Sequence, residues 1–125
     1  MREILYRGKS TDDGKWLYSM TISRHYYNDN EIFSYYIGSG YNIVDGKTLG
    51  QYIGFEDKNG NKIFEGDIVK LYLIDGIEEG IIKFNDIMCR FMFVTKEGSY
   101  GFDNDCIFEI IGNIYDNPEL INEVN

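Results

Sequence analysis

From residue 51 onward the chain repeats one pattern: a short run of β-branched and aromatic residues, then a polar cluster holding glycine, asparagine or aspartate. The runs cover residues 51–55, 62–64, 68–73, 81–84, 90–95, 99–102 and 107–114. Runs this short and this regularly punctuated predict strands joined by tight turns, arranged as an antiparallel meander or a small barrel. Alternation places Val69, Leu71 and Leu73 on one face, with Lys70 and Tyr72 opposite, and groups Phe108, Ile110 and Ile114. Asp57-Lys58-Asn59-Gly60 lies between the first two runs. Asn-Gly takes positive φ at both central positions of a type I′ turn, so a hairpin is expected there. Glu65-Gly66-Asp67 turns the chain into the next strand, and Asp75-Gly76 with Glu78-Glu79-Gly80 reads as the following connection. Asn117 as cap, Pro118 at the first position and Glu119 near the positive end open one short C-terminal helix.

The first 50 residues are less regular. Residues 3–6 and 15–23 read as strands around the polar turn Ser10-Thr11-Asp12-Asp13-Gly14, an N-terminal hairpin with Trp16, Tyr18, Met20 and Ile22 on one face. Asn28-Asp29-Asn30 is a loop signal and residues 32–37 are strand-like, but residues 24–46 have no clear place and read as an insertion or loop. The expectation is a single, mainly β domain over 1–125, with a hairpin and variable segment over 1–50 and a meander over 51–125.

Charge narrows the partners. The chain carries a formal net charge of −9. Residues 1–27 hold five basic and three acidic side chains, so the remainder holds seven basic and 18 acidic. Such a protein is repelled by duplex nucleic acid unless its cations gather in one patch. No apolar run suits a signal peptide or a membrane span, so a cytoplasmic protein with no membrane partner is expected. Cys89 and Cys106 sit in strand-like apolar surroundings and read as buried free thiols; a disulfide between them is the alternative.

Each familiar chemical motif fails at a named residue. His25, the single histidine, has no nucleophile motif around it and stands beside Tyr26 and Tyr27. Asp57, Asn59 and Asn61 imitate the start of a calcium loop, but Lys62 replaces the turn glycine and Ile68 the bidentate acid. Gly38-Ser39-Gly40 begins like a dinucleotide loop whose third glycine position is Ile43. Glu65 and Asp67 flank a glycine, yet close acid pairs are expected by chance among 21 acids. The pairs Tyr26-Tyr27 and Tyr35-Tyr36, with Arg24, could stack single-stranded bases, but adjacent strand residues point to opposite faces, so each pair offers one ring per face. Core packing or self-association is the simpler use of these rings. No catalytic, cofactor or metal set emerges.

The string Gln51-Tyr52-Ile53-Gly54-Phe55-Glu56-Asp57-Lys58-Asn59-Gly60-Asn61-Lys62-Ile63-Phe64-Glu65-Gly66-Asp67-Ile68-Val69 resembles the YopX family of bacteriophage and prophage proteins. The opening Met1-Arg2-Glu3-Ile4-Leu5-Tyr6-Arg7 and the closing Ile110-Ile111-Gly112-Asn113-Ile114-Tyr115-Asp116-Asn117-Pro118-Glu119-Leu120 resemble its ends. The resemblance implies a phage or prophage origin, residence in a bacterial host and homo-oligomer formation, and it carries no activity with it. Its shared residues read as structural: Asn59 and Gly60 in a turn, Gly66 at a bend, Asp67 accepting backbone N–H groups, Gly112 and Pro118 shaping the exit from the last strand. The leading expectation is therefore a non-catalytic interaction or assembly module. An acidic inhibitor of a host nucleic-acid enzyme comes second, a single-strand nucleic-acid binder third and an enzyme last.

Overall fold

The computed structural model describes residues 2–27, 32–40 and 42–121. The chain is mainly β, its strands pair antiparallel, and it divides into two compact units, Met1–Tyr52 and Ile53–Asn125.

In the first unit, β1 (Tyr6–Lys9) pairs with β2 (Trp16–Ser19), and the Ser10–Gly14 cluster closes this hairpin with Ser10 N–H on the Lys15 carbonyl at 2.9 Å. The pairing sits three residues later than the sequence suggests, because the apolar run at the start contributes backbone groups to another strand. The Leu5 carbonyl accepts the Tyr52 N–H at 2.9 Å, and Tyr6 lies opposite Gln51. Nor does the second strand reach Ser23. Ser19 turns the chain by accepting the Thr21 N–H on its own hydroxyl at 3.2 Å. Met20 is left exposed, and a separate strand, β3 (Ile22–Tyr27), starts in another sheet. The expected face of Trp16, Tyr18, Met20 and Ile22 is thus divided between two sheets, and the last three are exposed.

β3 pairs with β4 (Ile32–Ile37), and β4 with β5 (Ile43–Val44), in the order β3-β4-β5. Residues 24–46 are therefore mostly ordered sheet; the expected loop at 28–30 lies outside the described residues. After β5, Asp45 accepts the Lys47 N–H and starts a 3₁₀ turn, Gly46–Thr48. Thr48 then links that turn to β1, accepting the Lys9 N–H and donating to the Asp45 carbonyl. Tyr36, Ile37, Val44 and Tyr52 are the buried apolar residues of this unit.

β6 (Gly50–Glu56) runs across the boundary between the units. The second unit continues with β7 (Lys62–Phe64), β8 (Asp67–Leu73), β9 (Gly76–Asn85), β10 (Arg90–Thr95), β11 (Gly98–Tyr100) and β12 (Ile107–Asn113). Five of these form one antiparallel sheet in the order β11-β10-β9-β8-β12. It is a meander whose last strand returns to the far side of β8. Two connections are tighter than expected. Glu78, Glu79 and Gly80 lie inside β9, because Leu73 pairs directly with Gly76 and only Ile74 and Asp75 remain for the turn. Lys96 and Glu97 alone link β10 to β11.

Alternation gives this sheet two apolar faces. Val69, Ile82, Phe93 and Phe108 pack with Ile63 in one cluster, joined by Leu71 and Ile110. Ile68 and Ile81 face the other way, against Ile111, Ile114, Leu120 and Ile121. Ile114 thereby leaves the face of Phe108 and Ile110. The register of β12 on β8 slips between Ile110 and Gly112, a bulge at Ile111, and one extra residue reverses every side chain beyond it. The chain exit then forms a 3₁₀ turn, Pro118–Leu120, where one short helix is expected. Asn117 does not cap it by side chain, since its Oδ1 accepts the Asn113 N–H at 3.1 Å.

Candidate functional site

The Asp57–Gly60 segment makes a hairpin, but by a different geometry from the one expected. Gly60 N–H donates to the Asp57 carbonyl at 3.0 Å, and the Asp57 N–H donates to the Asn61 carbonyl at 2.7 Å. Neither Lys58 nor Asn59 has positive φ; Gly60 takes it, at 83°. A three-residue loop with the left-handed residue last replaces the two-residue type I′ turn. The reason is the Asp57 carboxylate. Its Oδ1 accepts the N–H groups of Asn59 and Asn61, both at 2.9 Å, which draws the chain inward over the side chain.

The other oxygen of Asp57 reaches across the sequence and accepts the Ile110 N–H at 3.0 Å, while the Lys58 N–H donates to the Phe108 carbonyl at 2.8 Å. Phe108 and Ile110 lie on β12, the outer strand of the five-stranded sheet. Carboxylate and turn thus take the place of a neighbouring strand along that edge. Burial of Asp57 alone pushes its carboxyl upward, but the bonds from Ile110, Asn61 and Asn59 outweigh it and hold the carboxyl below the ordinary aspartate value. Of the three residues that imitate a calcium loop, Asp57 spends both carboxylate oxygens on backbone N–H groups, two of them from Asn59 and Asn61.

The remaining motif residues surround the next turn. Asp67, 2% exposed, accepts the Phe64 N–H at 2.8 Å. Gly66 has φ 93°, a conformation costly for other residues, and connects two strands: its N–H donates to the Ile82 carbonyl and its carbonyl accepts the Ile114 N–H. Gly112 backs onto the Asn117 side chain so closely that a Cβ would collide with Oδ1. Pro118 opens the final 3₁₀ turn. Glu65 and Asp67 are thus an exit and a buried acceptor, not two acids facing one cleft.

Cys89 corrects a sequence expectation. It is exposed, with φ 55°, in the β9–β10 turn, where Asn85 Oδ1 accepts the Ile87 and Met88 N–H groups. Cys106 is half-buried, and both thiols are free. The apolar neighbours of Cys89 misled the reading, because Ile87 and Met88 are themselves exposed.

A different surface emerges on β3 and β4, in the segment whose periodicity is least regular. Arg24 lies opposite Tyr35, and Tyr26 opposite Phe33, so these four side chains share one face. The Arg24 guanidinium sits 5.0 Å from the ring centres of both Tyr26 and Phe33. Phe33 meets Tyr26 edge-on at 5.5 Å and Tyr35 at 5.3 Å. Hydrogen bonding from Tyr35, then the charge of Tyr26, raises the Arg24 pKa above its ordinary value. Ile22, Tyr26 and Phe33 are 40%, 55% and 41% exposed. His25 lies on the opposite face with Ser23 and Tyr36, its ring 4.7 Å from that of Tyr36. One ring per tyrosine pair does face this way, as alternation requires; Phe33, which period two across residues 32–37 could have revealed, completes the platform.

Among the described residues no three His, Cys, Asp or Glu side chains could hold a metal ion together, and no helix is long and apolar enough to cross a membrane. Aspartates tied to backbone and aromatics held outward define a small antiparallel β protein with an exposed aromatic face. The chain belongs to the YopX family: the family model described as YopX protein matches residues 5–122. Among solved structures it is similar to protein EF1440 from Enterococcus faecalis, at 22% identity and a TM-score of 0.58, covering 97% of this chain and 99% of that one. That likeness concerns the fold. No curated protein matches the chain.

Proposed function

We propose that this YopX protein is a non-catalytic accessory protein of phage or prophage origin, cytoplasmic in its bacterial host, that acts as a protein-interaction or assembly module and self-associates. One observation carries the reading: large apolar side chains stand outward on well-bonded strands and turns. The Tyr26–Phe33 face is one such group, its rings 5.5 Å apart and 55% and 41% exposed; Met20, Ile74 and Ile87 stand out singly at 70%, 109% and 91%. Exposed apolar groups clustered on ordered backbone mark contact surfaces. The motif residues Asn59, Gly60, Gly66, Asp67, Gly112 and Pro118 serve the fold in this reading and touch no ligand. Affinity capture from prophage-carrying cells, together with light scattering of the purified chain, tests it. A retrieved partner or a stable oligomer is expected; a strict monomer that retrieves nothing overturns it.

A second reading has its own observation. Residues 1–52 hold six basic and six acidic side chains, whereas residues 53–125 hold six basic and 15 acidic, so the whole net charge of −9 belongs to the second unit. This supports inhibition of a host nucleic-acid enzyme by charge mimicry. Against it, Asp57 and Asp67 are buried, and Glu79 and Glu109 flank Lys70 across the sheet, unlike a row of phosphates. Inhibition of a host nuclease or polymerase that fades with added salt would establish it. Single-strand binding is the weaker third, because Arg24 already covers faces of the two rings that bases would stack on.

A further inference from the structure

We infer that β3 is the strand through which a second copy of this chain joins the sheet, by antiparallel pairing of β3 with β3; this rests on the assembly reading above and names its surface. The direction of the backbone groups on β3 follows from one bond. The Gly38 N–H donates to the Thr21 carbonyl at 2.9 Å, which makes Thr21 and Gly38 a hydrogen-bonded pair. Antiparallel ladders alternate. Ser23 with Tyr36 and His25 with Ser34 are then the next bonded pairs, and Ile22, Arg24 and Tyr26 turn their N–H and carbonyl groups away from β4. The same alternation sends the Ile37 N–H the other way, to the Asn42 carbonyl at 3.0 Å. Among the described residues β3 has a neighbour on the β4 side only, and residues 21–26 are all exposed.

Other edges are shorter or closed. β12 carries the Asp57 turn along its outer side. β7 and β11 have three residues each, β2 four. β3 has six, without proline or bulge, and its one charged side chain, Arg24, lies over the Tyr26 and Phe33 rings rather than along the open edge. Charge selects the same unit. Two copies bring identical charges together, and the second unit, with 15 acids against six basic groups, repels its own kind. The first unit is balanced. Pairing centred on His25 sets Arg24 of each copy across from Tyr26 of the other; a register centred on Arg24 would oppose two guanidinium groups. The aromatic face of β3 and β4 then continues across both copies as one surface.

The experiment uses the full chain at a series of concentrations, with light scattering and residue-resolved amide exchange. Twice the chain mass of 14.6 kDa is expected at high concentration. The Ile22, Arg24 and Tyr26 amides should become protected as the dimer forms, while Ser23 and His25, already bonded to β4, should change little. Arg24→Pro removes one outward N–H and leaves the β4 bonds in place, so loss of the dimer mass is expected, with a melting temperature that no longer rises with concentration as that of the parent does; Arg24→Ala, which keeps the N–H, should retain a dimer. If Arg24→Pro fails to fold, the wild-type exchange pattern decides. An oligomer whose 22, 24 and 26 amides stay unprotected at every concentration overturns this inference and leaves the assembly reading standing. Protection that arises only with a captured host protein also overturns the second copy as occupant. A monomer throughout, with no retrievable partner, overturns both.

Discussion

The two units use the same vocabulary of short strands and tight turns to opposite ends. The second unit closes a core of aromatic and β-branched residues, although Ile74, Ile77, Phe84, Ile87 and Ile107 stay outward at its turns and edges. Ile63, Ile68, Val69, Ile81, Ile82, Phe93 and Phe108 are all at most 1% exposed. Its key carboxylates are also drawn in, Asp57 at 6% and Asp67 at 2%, and each is answered by backbone N–H groups. Among the described apolar residues of the first unit the most buried are Ile37 at 2% and Val44 at 3%. It leaves Tyr18, Ile22, Tyr26 and Phe33 at 40% or more. The difference teaches where stability and contact are separated in this chain. A unit with a closed core and a sealed outer strand can carry a large like charge, and a neutral unit with a thin core can carry an adhesive face.

The sharpest way to break this comparison is Phe93→Ala against its counterpart on the other unit. Phe93 is 1% exposed and packs on Phe108 with ring centres 5.7 Å apart. Removing a ring from such a site costs about 4 kcal/mol, transfer and cavity together. Chemical denaturation followed by tryptophan-independent near-UV circular dichroism should show the second unit's transition at much lower denaturant. A loss of under about 1 kcal/mol would show that the cluster is not the core of this unit.

Next in size is Asp57→Ala, which deprives the Asn59, Asn61 and Ile110 N–H groups of their acceptor and opens the outer edge of β12. A loss of about 3 kcal/mol is expected, given that hydrogen bonds to charged groups count for more than neutral ones and buried donors left without partners are costly. The acid dependence has a definite sign. The folded-state carboxyl of Asp57 lies below the ordinary aspartate value of 3.8, so its contribution is complete above that value and is lost as pH falls through the folded one. Asp57→Asn should flatten stability against pH in the acid range, and an unchanged acid slope in that variant would assign the dependence to other groups.

How legible this was in the sequence differed by unit for a physical reason. The Ile32–Ile37, Lys62–Phe64 and Arg90–Thr95 strands stand where period two and turn residues put them. Those signals are local. What escaped were long-range decisions. Nothing near Asp57 says that its carboxylate will cap a strand 53 residues away with one oxygen while the other, bonded to Asn59 and Asn61, displaces the type I′ turn. The Ile111 bulge, which moved Ile114 to the other face, depends on Gly112 meeting Asn117. The break at Ser19 rests on a hydroxyl folding back on Thr21. The aromatic face was half legible: Arg24, Tyr26 and Tyr35 stood out in sequence, but only the register of β3 on β4 brings Phe33 to them.

Gly66→Ala is expected to have an intermediate effect, about 2 kcal/mol, because φ of 93° is strained for any residue with a Cβ and the new atom would press within 3.1 Å of the Tyr115 ring. The readout is the thermal midpoint of the second unit. A variant as stable as the parent would mean that this turn relaxes freely, and would remove the main structural reason offered for glycine in the Glu65-Gly66-Asp67 segment.

The smallest stability change should come from Phe33→Ala, and its smallness is the point. Phe33 is 41% exposed, so truncation forgoes only part of its burial, along with edge contacts to Tyr26 and Tyr35 and its share of Arg24. A loss of about 1 kcal/mol or less is expected. The same substitution should weaken capture of a partner or formation of the oligomer by more than it weakens the fold, measured by light scattering or pull-down at equal folded fraction. If instead it destabilises the chain as strongly as Phe93→Ala, the β3–β4 face is a core rather than a contact surface, and the division of labour between the two units is wrong. If it changes neither stability nor association, the platform of Arg24, Tyr26, Phe33 and Tyr35 has no part in binding, and the exposed hairpin ends at Ile74 and Ile87 become the place to look.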